Sequence, residues 1–348
     1  MKYKLISFLL LTGLVFPALL RGQAFGNHAF TFLEQGLSAR AVALGSNVVA
    51  IDDGDISLAL MNPSLIGRSM NNEFSLSYLK FFAGANYGLA QYAKSFNKIG
   101  NYVASIQYMD YGTFNYADSY GIRNGTFKAA DYAFSLGWGR QLNDQFSIGA
   151  TAKVLYSHYE SYKSLGIAVD VAVSYKSESG LLLSIVASHI GTQLTSFTGQ
   201  TAPLPFDMQL AMSKRLEHVP FRFSLVYDHI EKWDLSYYDA ANPPGGFDPV
   251  TGAPIERTGF SKTSDLLMRH LIIGGEIYIG KNIVLRAGYN YRRRQEMAIS
   301  QRRGMVGFSY GIGIRVSHFH INYARTSYHL AGSPNYFTIS TSLDEFRR

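Results

Sequence analysis

The sequence predicts an all-β protein, a transmembrane antiparallel β-barrel of about 14 strands with an N-terminal plug segment. After about residue 72, the 348-residue chain reads as strand-like segments of about ten residues, the length that a tilted strand needs to cross a bilayer. Each segment alternates between bulky apolar and small or polar side chains, which places them on opposite faces. The connections are alternately short and long, as in barrels with short periplasmic turns and longer outer loops.

The alternation is clearest in residues 131–140, where Tyr132, Phe134, Leu136 and Trp138 are separated by small or polar residues. Residues 283–291, 305–314 and 337–343 repeat it. A soluble sandwich alternates as well, so the pattern alone does not say which face is wet. The segment length, the 24 Tyr and 23 Phe, many near segment ends, and the Gly, Ser and Ala of the opposite face favour a lipid-facing apolar surface.

The connections fall into two sets, with an exception at residues 82–87, where a long loop is expected and the connection is modest. The predicted short connections are residues 97–101, 141–145, 176–179, 215–220, 280–282 and 316–317. The predicted long ones are residues 112–129, 159–165, 191–205, 230–270, 292–303 and 326–334. Strand parity in a secreted chain then predicts a protein of a Gram-negative outer membrane with both termini periplasmic and every long loop outside.

The first residues predict a secretory signal peptide. Lys2 and Lys4 precede an apolar run over residues 5–20, and small residues follow. An uncleaved anchor is the alternative. No other stretch approaches the roughly 20 apolar residues of a spanning helix, and the mean hydropathy is -0.02. The predicted organisation is a signal peptide over residues 1–22, a plug over 23–72 and the barrel over 73–348.

Composition excludes several kinds of site. The chain has no cysteine, so disulfides, zinc-thiolate sites, cysteine nucleophiles and a lipoprotein anchor are excluded. The net charge of +7 becomes +4 when Lys2, Lys4 and Arg21 leave with the signal peptide, and such a modest charge does not imply nucleic acid as a partner. A basic group, Arg292, Arg293 and Arg294 with Arg302 and Arg303, flanks one long loop. It predicts either a solvated loop that meets anionic lipopolysaccharide or a partner-docking patch.

The segment before the first strand does not alternate. Residues 38–49 are either a short helix or irregular, and Asp53, Asp55 and the pair Asn62-Pro63 lie in turn-forming sequence. The segment is too small for a core of its own, whereas a barrel of about fourteen strands has a lumen that can hold a plug. We therefore expect it inside the barrel, with a periplasmic tail as the alternative.

A family resemblance rests on short motifs spread over the whole mature chain. Those in the plug segment are Phe30-Thr31-Phe32-Leu33, Ser38-Ala39-Arg40, Ala43-Leu44-Gly45, Asp53-Gly54-Asp55 and Asn62-Pro63-Ser64-Leu65. Later ones are Gln107-Tyr108 with Tyr111-Gly112, residues 157–162, Pro205-Phe206-Asp207, and Pro220-Phe221-Arg222 followed by Trp233-Asp234-Leu235. Together they resemble the PorV/PorQ branch of the FadL-like outer-membrane barrels. One departure is Ser46, where that branch usually has a second glycine.

The resemblance implies a non-enzymatic component of the type IX protein secretion system. It implies a cell-surface complex that processes and attaches secreted cargo, with a PorZ-like surface protein, a sortase-like protease and a PorV-like barrel as partners. The alternative, by analogy with FadL, is a transporter of hydrophobic small molecules. A passive porin and an outer-membrane hydrolase are weaker hypotheses, because of the predicted plug and of the lack of a supported triad.

Enzyme-like patterns do not support a catalytic, cofactor or metal site. Gly307-Phe308-Ser309-Tyr310-Gly311 matches a nucleophile motif, but it lies within a predicted strand rather than on a strand-to-helix turn. Ser95-Phe96-Asn97-Lys98 lacks its companion motifs. His318 and His320 lack further metal ligands, and the acidic run 52–55 lacks the ligand spacing of a calcium loop.

The predicted loop 230–270 is far longer than an ordinary connection, and such loops are usually functional or disordered. It carries Trp233, Tyr237 and Tyr238, residue types that dominate interface hot spots, and the run Pro243-Pro244-Gly245-Gly246. Two interpretations remain open: partner docking, or a solvated loop whose aromatic residues rest on the barrel rim.

Overall fold

The computed structural model describes residues 28–81, 84–96, 99–117, 120, 122–236, 248, 251, 259–297, 304–327 and 332–346. The predicted signal peptide, Tyr237, Tyr238, Arg302, Arg303 and residues 243–246 lie outside the described residues.

Fourteen antiparallel strands form a closed barrel, which confirms the predicted fold class. Every strand pairs with its neighbours in sequence, and the first pairs with the last. The strands are β1 (Glu73–Lys80), β2 (Asn86–Phe96), β3 (Gly100–Ala117), β4 (Arg123–Gln141), β5 (Phe146–Tyr159), β6 (Tyr162–Lys176), β7 (Leu181–Thr195), β8 (Asp207–Arg215), β9 (Phe221–Tyr227), β10 (Leu271–Ile279), β11 (Ile283–Asn290), β12 (Phe308–Val316), β13 (Phe319–Thr326) and β14 (Asn335–Ser342).

The bulky apolar side chains face outward. On β4, Phe134 and Leu136 are 48% and 54% exposed, whereas Ala133 and Ser135, which alternate with them, are buried. Aromatic pairs occur at two levels of the outer wall. Phe96 and Tyr102 pack edge to face near the short connections, and Tyr108 packs with Tyr132 further along β3. Two levels of aromatic residues on the outer wall are typical of membrane barrels.

Two of the predicted long loops are wrong because the strands continue through them. β3 and β4 pair beyond the register shift at Asp110/Thr113 up to Ala117 and Arg123, so residues 112–129 are largely a projecting hairpin. β5 and β6 are joined by Glu160 and Ser161 alone, so residues 159–165 form a tight turn and not a loop. The bulge at Gly112 shifts the period-2 pattern without ending the hydrogen-bonded ladder, and sequence alternation alone does not detect this.

Two long connections contain helices that the sequence reading treated as loop. The connection after β9 ends in α2 (Gly259–Arg269), and the one after β11 begins with α3 (Tyr291–Met297). In α2, Arg269 donates to Asp265 one turn earlier at 2.8 Å. Residues 305–307, predicted as strand, form a turn before β12, and Val306 is buried there instead of facing outward. Within the described part of the chain, each helix is too short or too polar to span a membrane.

Residues 28–72 lie in the lumen and form the plug. The helix α1 (Ala39–Ala43) packs against β11 to β14, and the 3-10 turn Pro63–Leu65 packs against β4, β5 and β6 on the opposite wall. Further 3-10 turns lie at Thr31–Glu34, Ile56–Leu58 and Arg68–Met70. A fifth, Leu343–Phe346, follows β14. Plug side chains such as Phe32, Val42 and Leu60 share an apolar cluster with inward residues of the wall.

The plug segment crosses the lumen from one edge of the barrel to the other. The Ala29 amide donates to the Pro203 carbonyl, in the long connection between β7 and β8, at 2.8 Å. At the other edge, the Leu343 amide donates to the Asn72 carbonyl at 2.8 Å. Both ends of the barrel therefore lie at the edge of the short turns, whereas Ala29, at the start of the described plug, lies at the edge of the long connections.

At several glycines of the wall, the plug backbone lies directly against the strands. A Cβ at Gly149 would lie 2.2 Å from the Pro63 carbonyl oxygen, and one at Gly139 would lie 2.5 Å from the Ile66 carbonyl oxygen. On the other wall, a Cβ at Gly288 would lie 2.3 Å from the Gly45 nitrogen. Only glycine allows the two backbones to approach so closely, so these positions fix the plug against the strands.

Candidate functional site

Four of the predicted plug motif residues come together near the short connections: Ser38, Arg40, Asp53 and Asp55. Ser38 caps α1, its side-chain oxygen accepting from the Ala41 amide at 3.2 Å, and this start directs Arg40 toward β10. The buried Arg40 guanidinium donates to both carboxylate oxygens of Glu276 at 3.0 Å, to Asp53 at 2.6 Å and to Asp55 at 2.9 Å. One plug arginine thus joins two plug turns to the barrel.

Two more arginines complete this cluster, which we call the Arg40 cluster. Arg222 on β9 donates to Asp53 at 2.6 Å and to Glu276 at 3.0 Å. Arg286 on β11 donates to Glu276 at 2.8 Å. The Arg40 cluster therefore has three guanidiniums and three carboxylates, counting Arg40, Arg222 and Arg286 against Asp53, Asp55 and Glu276. Each buried charge is paired, as the low dielectric of a lumen requires.

Burial by itself would raise the pKa of Asp53, but the Arg40 and Arg222 guanidiniums outweigh it and hold that pKa well below its usual range. The carboxylate is consequently ionised at every physiological pH. This is the behaviour of a structural anchor, because a proton-transfer group needs a pKa near the working pH.

Sequence reasoning identified the plug half of the Arg40 cluster and missed the wall half. Arg222, Glu276 and Arg286 occupy inward positions of β9, β10 and β11, each two residues from a small inward residue: Ser224, Gly274 and Gly288. Charged residues at inward positions of three consecutive strands were the available signal, since unpaired charges are not buried in a lumen.

Asn62 and Pro63 hold the opposite side of the plug. The Asn62 side chain caps the 3-10 turn, accepting from the Ser64 amide at 3.0 Å. Its amide nitrogen donates to the Val49 carbonyl and, at 3.1 Å, to Ser174 on β6. One buried side-chain amide thus joins its own turn to a second plug segment at Val49 and to β6 of the wall.

Replacing Asn62 with alanine is expected to lower the free energy of unfolding by about 2 kcal/mol, because it removes a cap and leaves the Val49 carbonyl and Ser64 amide without their partner. Urea unfolding in detergent micelles measures this change. Asn143→Ala is the matched control, because Asn143 caps an exposed turn between β4 and β5. Equal stabilities of the two variants would contradict the role given to Asn62.

A cavity of about 370 Å³, which we call the upper cavity, lies between plug and wall toward the long connections. The plug supplies a mainly apolar side of Leu33, Leu37, Val49, Leu60 and Met61, with the polar residues Glu34, Gln35 and Asn47 beside them. The wall and long connections supply a charged side of Lys153, Asp170, His189, Asp207, His229, Arg292 and Arg293. Its two sides differ in polarity, which suits a ligand with an apolar body and a polar group.

The barrel wall is incomplete beside the upper cavity. The β7–β8 ladder ends at Ser188 opposite Asp207, and among the described residues the last part of β7 pairs with β6 alone. His189 lies at this point with a φ of +59°, and its ring nitrogen Nδ1 is 3.0 Å from the Pro205 carbonyl. A side chain and not a backbone ladder therefore closes the wall here.

A cluster of charges around His229 borders the upper cavity. Asp207, His229 and Glu231 each place one ligand atom within 4.8 Å of the others, a spacing that a metal ion could use. However, His229 Nδ1 lies 2.9 Å from Glu231 and 3.3 Å from Asp207. Burial alone would lower the pKa of His229, but Asp228, Asp207 and Glu231 raise it to about 9. The contacts of His229 with Asp207, Asp228 and Glu231 are those of an ion cluster.

Stability is expected to fall as the pH rises from about 6.5 to above 9. His229 has a folded pKa of about 9 against an ordinary 6.5, so its contribution is complete below pH 6.5 and is lost as the pH passes 9. The difference in unfolding free energy between wild type and His229→Gln, measured across this range, isolates the effect, on the order of 2 kcal/mol. Parallel curves for the two proteins would refute it.

The predicted partner-contact residues that the structure describes lie in two different elements, Trp233 in the connection after β9 and the arginines in α3. Trp233 is 56% exposed, and its carbonyl lies 3.2 Å from His270 Nε2. The arginine run lies in α3 and not in an extended loop. Arg292 pairs with Asp228 at 3.6 Å, Arg293 donates to Ser46 Oγ at 2.7 Å, and Arg294 donates to backbone carbonyls. These side chains hold the plug and the rim; a role in partner contact stays a prediction.

Ser46, where the resembling branch usually has glycine, has a φ of +89°. The backbone there favours glycine, which explains the pattern. The bond from Arg293 to the Ser46 hydroxyl gives the serine a compensating contact.

Residues from the enzyme-like and metal-like sequence patterns make structural contacts. Ser309 lies within β12 and is buried, and its hydroxyl donates to the Ala43 carbonyl of the plug at 3.3 Å. His318 lies 2.8 Å from Glu345 at the rim. Asp52 pairs with Lys176 at 2.9 Å, outside the Arg40 cluster.

Solved structures with the same fold are outer-membrane channels. A TodX monoaromatic hydrocarbon channel deltaS2 mutant superposes with a TM-score of 0.52 at 11% identity, covering 88% of this chain and 97% of that one. The TodX deltaS2S3 mutant gives 0.51 at 11% identity with the same coverage. The Pseudomonas putida toluene transporter TodX gives 0.50 at 10% identity, covering 89% and 99%. No protein-family model and no curated protein matches the chain. The chain thus shares the fold of these hydrocarbon channels.

Proposed function

We propose that this barrel takes up small hydrophobic or amphiphilic molecules and passes them across the outer membrane. The observation that carries the proposal is the upper cavity, whose volume of about 370 Å³ lies within the range of small-molecule sites. Its apolar plug side would bind the body of the ligand, and its charged wall side would bind a polar group. Channels for aromatic hydrocarbons share the fold, which agrees with this reading.

The incomplete wall beside the upper cavity supplies a route. A ligand that leaves the cavity between β7 and β8 meets side-chain hydrogen bonds, among them His189 with Pro205, instead of a row of backbone hydrogen bonds. Opening this point costs less than parting a paired ladder, because backbone groups inside a membrane need partners. The Arg40 cluster can stay intact meanwhile, since it lies toward the other edge of the barrel.

Filling the upper cavity tests the proposal. Met61 lines it from the plug and is partly exposed there, so Met61→Trp adds bulk to the cavity. We expect the wild-type barrel in amphipol to retain radiolabelled laurate and the variant to bind it roughly tenfold more weakly, a loss of about 1.4 kcal/mol. The control is Met305→Trp, in an exposed turn. No retention by the wild type, or equal retention by both variants, would reject the proposal.

The second candidate is a PorQ-like scaffold of the type IX secretion system. It rests on the motifs that resemble PorQ, which extend over the whole mature chain, and it is independent of the upper cavity. In this reading the long connections lie outside the cell and both ends of the barrel lie in the periplasm. The partners are then a PorZ-like surface protein, a sortase-like protease and a PorV-like barrel, with lipopolysaccharide around the rim.

Two features of the long-connection side agree with the scaffold. The β3–β4 hairpin continues past the end of the β2–β3 ladder and exposes Tyr120 to 89%, and Trp233 is exposed on the connection after β9. Exposed aromatic residues are common in binding hot spots.

Deletion of the gene in its native host separates the candidates. The scaffold predicts that secreted cargo stays unprocessed and that a surface protein is released, and crosslinking from Trp233 or Tyr237 in intact cells would capture that protein. Normal cargo attachment in the deletion strain would reject the scaffold and leave the transporter unaffected.

A further inference from the structure

A row of buried polar side chains runs across the inner wall on the side away from the Arg40 cluster. Direct cross-strand neighbours link it from β14 through β1 to β5. In order, its members are Ser340, Ser75, Gln91, Ser105, Ser135 and Lys153. Each is less than 9% exposed. We call this row the polar track.

Most groups of the polar track lack a partner. The hydroxyls of Ser75, Ser105 and Ser135 and both amide atoms of Gln91 make no hydrogen bond with any residue that the structure describes. On the plug side, the Ser57 hydroxyl is likewise unpartnered and fully buried, in the turn Ile56–Leu58 that packs against β1 and β2. Such groups are nearly always hydrogen-bonded in folded proteins, because each one left alone costs about 1–3 kcal/mol.

Apolar residues border the polar track on both sides. Toward the short connections, Ala93 and Val103 are cross-strand neighbours and belong to an apolar cluster with the plug. Toward the long connections, Ala133 and Leu155 are neighbours in another such cluster. The polar groups therefore form a narrow line within an otherwise apolar contact between plug and wall.

The two ends of the polar track reach two different cavities. Lys153 lines the upper cavity. Ser340 lines a cavity of about 570 Å³ at the edge of the short connections, which we call the lower cavity. Because barrel strands tilt by roughly 40°, a row perpendicular to them climbs along the barrel axis and can join the two levels.

We propose that the polar track is hydrated and conducts water past the plug, from the upper cavity to the lower one. Water is the occupant that fits, since a buried water molecule makes about three hydrogen bonds and the unpartnered groups are both donors and acceptors. Each hydroxyl lies one strand spacing from the next, about 4.8 Å, so one water molecule can bridge neighbouring groups. This activity is separate from passage of apolar molecules.

Single cysteines test the hydration, because the chain contains none of its own. Ser135 and Ala133 face inward two residues apart on β4, and both are at least 94% buried, with exposures of 6% and 0%. The probe is 2-aminoethyl methanethiosulfonate, which reacts with the hydrated thiolate. We expect Ser135→Cys in the full mature chain to react at least roughly tenfold faster than Ala133→Cys. Equal rates would overturn the proposal, and Ser105→Cys repeats the comparison on β3.

Conduction is tested in vesicles. Proteoliposomes with the wild-type barrel should shrink faster in an osmotic step than lipid vesicles alone, as measured by stopped-flow light scattering. Gln91→Leu preserves volume but removes both unpartnered groups, and it should reduce the protein-dependent water flux severalfold. The control, Gln193→Leu, alters an inward glutamine that is bonded to Ser164 away from the polar track and should leave the flux unchanged. Shrinkage equal to that of bare lipid, or equal flux in wild type and Gln91→Leu, would overturn conduction.

Discussion

Replacing Arg40 with methionine is expected to lower the free energy of unfolding by about 3–5 kcal/mol and to detach the plug from β10. The substitution preserves much of the side-chain volume and removes the charge. Three carboxylates then face two guanidiniums, and Glu276, which is 1% exposed, loses two of its hydrogen bonds. Asp53 and Asp55 lose their link to the helix α1. A buried charge without its partner is among the costliest single defects in a protein.

Urea unfolding in detergent micelles gives the stability change, and limited proteolysis within residues 52–72 reports exposure of the plug. The matched control is Lys176→Met, which breaks the half-exposed pair with Asp52 and should cost less than about 1 kcal/mol. If Arg40→Met unfolds like the control, the Arg40 cluster does not anchor the plug.

Replacing Gly149 with valine is expected to force the plug away from β5 and to cost about 3 kcal/mol. A Cβ would lie 2.2 Å from the carbonyl carbon and oxygen of Pro63, which are backbone atoms and cannot rotate away as a side chain can. The turn Pro63–Leu65 must therefore move, and the Asn62 bonds to Ser174 and Val49 move with it. Overpacking of this kind costs about 1–3 kcal/mol, and more where backbone must shift.

The control is Gly88→Val on β2, where an added Cβ has nothing within 4 Å. Both changes place a β-branched residue in a strand, so the difference between them isolates the contact with the plug. Thermal unfolding followed by circular dichroism compares the two. Valine tolerated equally at both positions would show that the plug does not rest on this wall.

The sequence by itself determined the barrel, because in a membrane-spanning strand every second side chain faces the lipid and the others face the lumen. The alternation of Phe134 and Leu136 with Ala133 and Ser135 is a local pattern. The lengths of the segments and the alternation of short and long connections can also be read along the chain. The same reasoning found the plug, since residues 23–72 lack the alternation. The sequence-based prediction was wrong where the backbone structure does not follow the local pattern of side chains. The β3–β4 ladder continues past its bulge, and α2 lies in a connection read as loop.

The candidate sites depended on which distant residues meet. Arg40, Asp53 and Asp55 could be singled out from the sequence, but their wall partner Glu276 lies 236 positions beyond Arg40. The upper cavity, the end of β7 that does not pair with β8, and the polar track likewise depend on the register between strands and on the closure of the barrel. Alternation indicates that Ser75, Gln91, Ser105 and Ser135 face inward. Only the pairing of four strands puts them in one line, because a register shift of two residues would keep every side chain on its face and break the row.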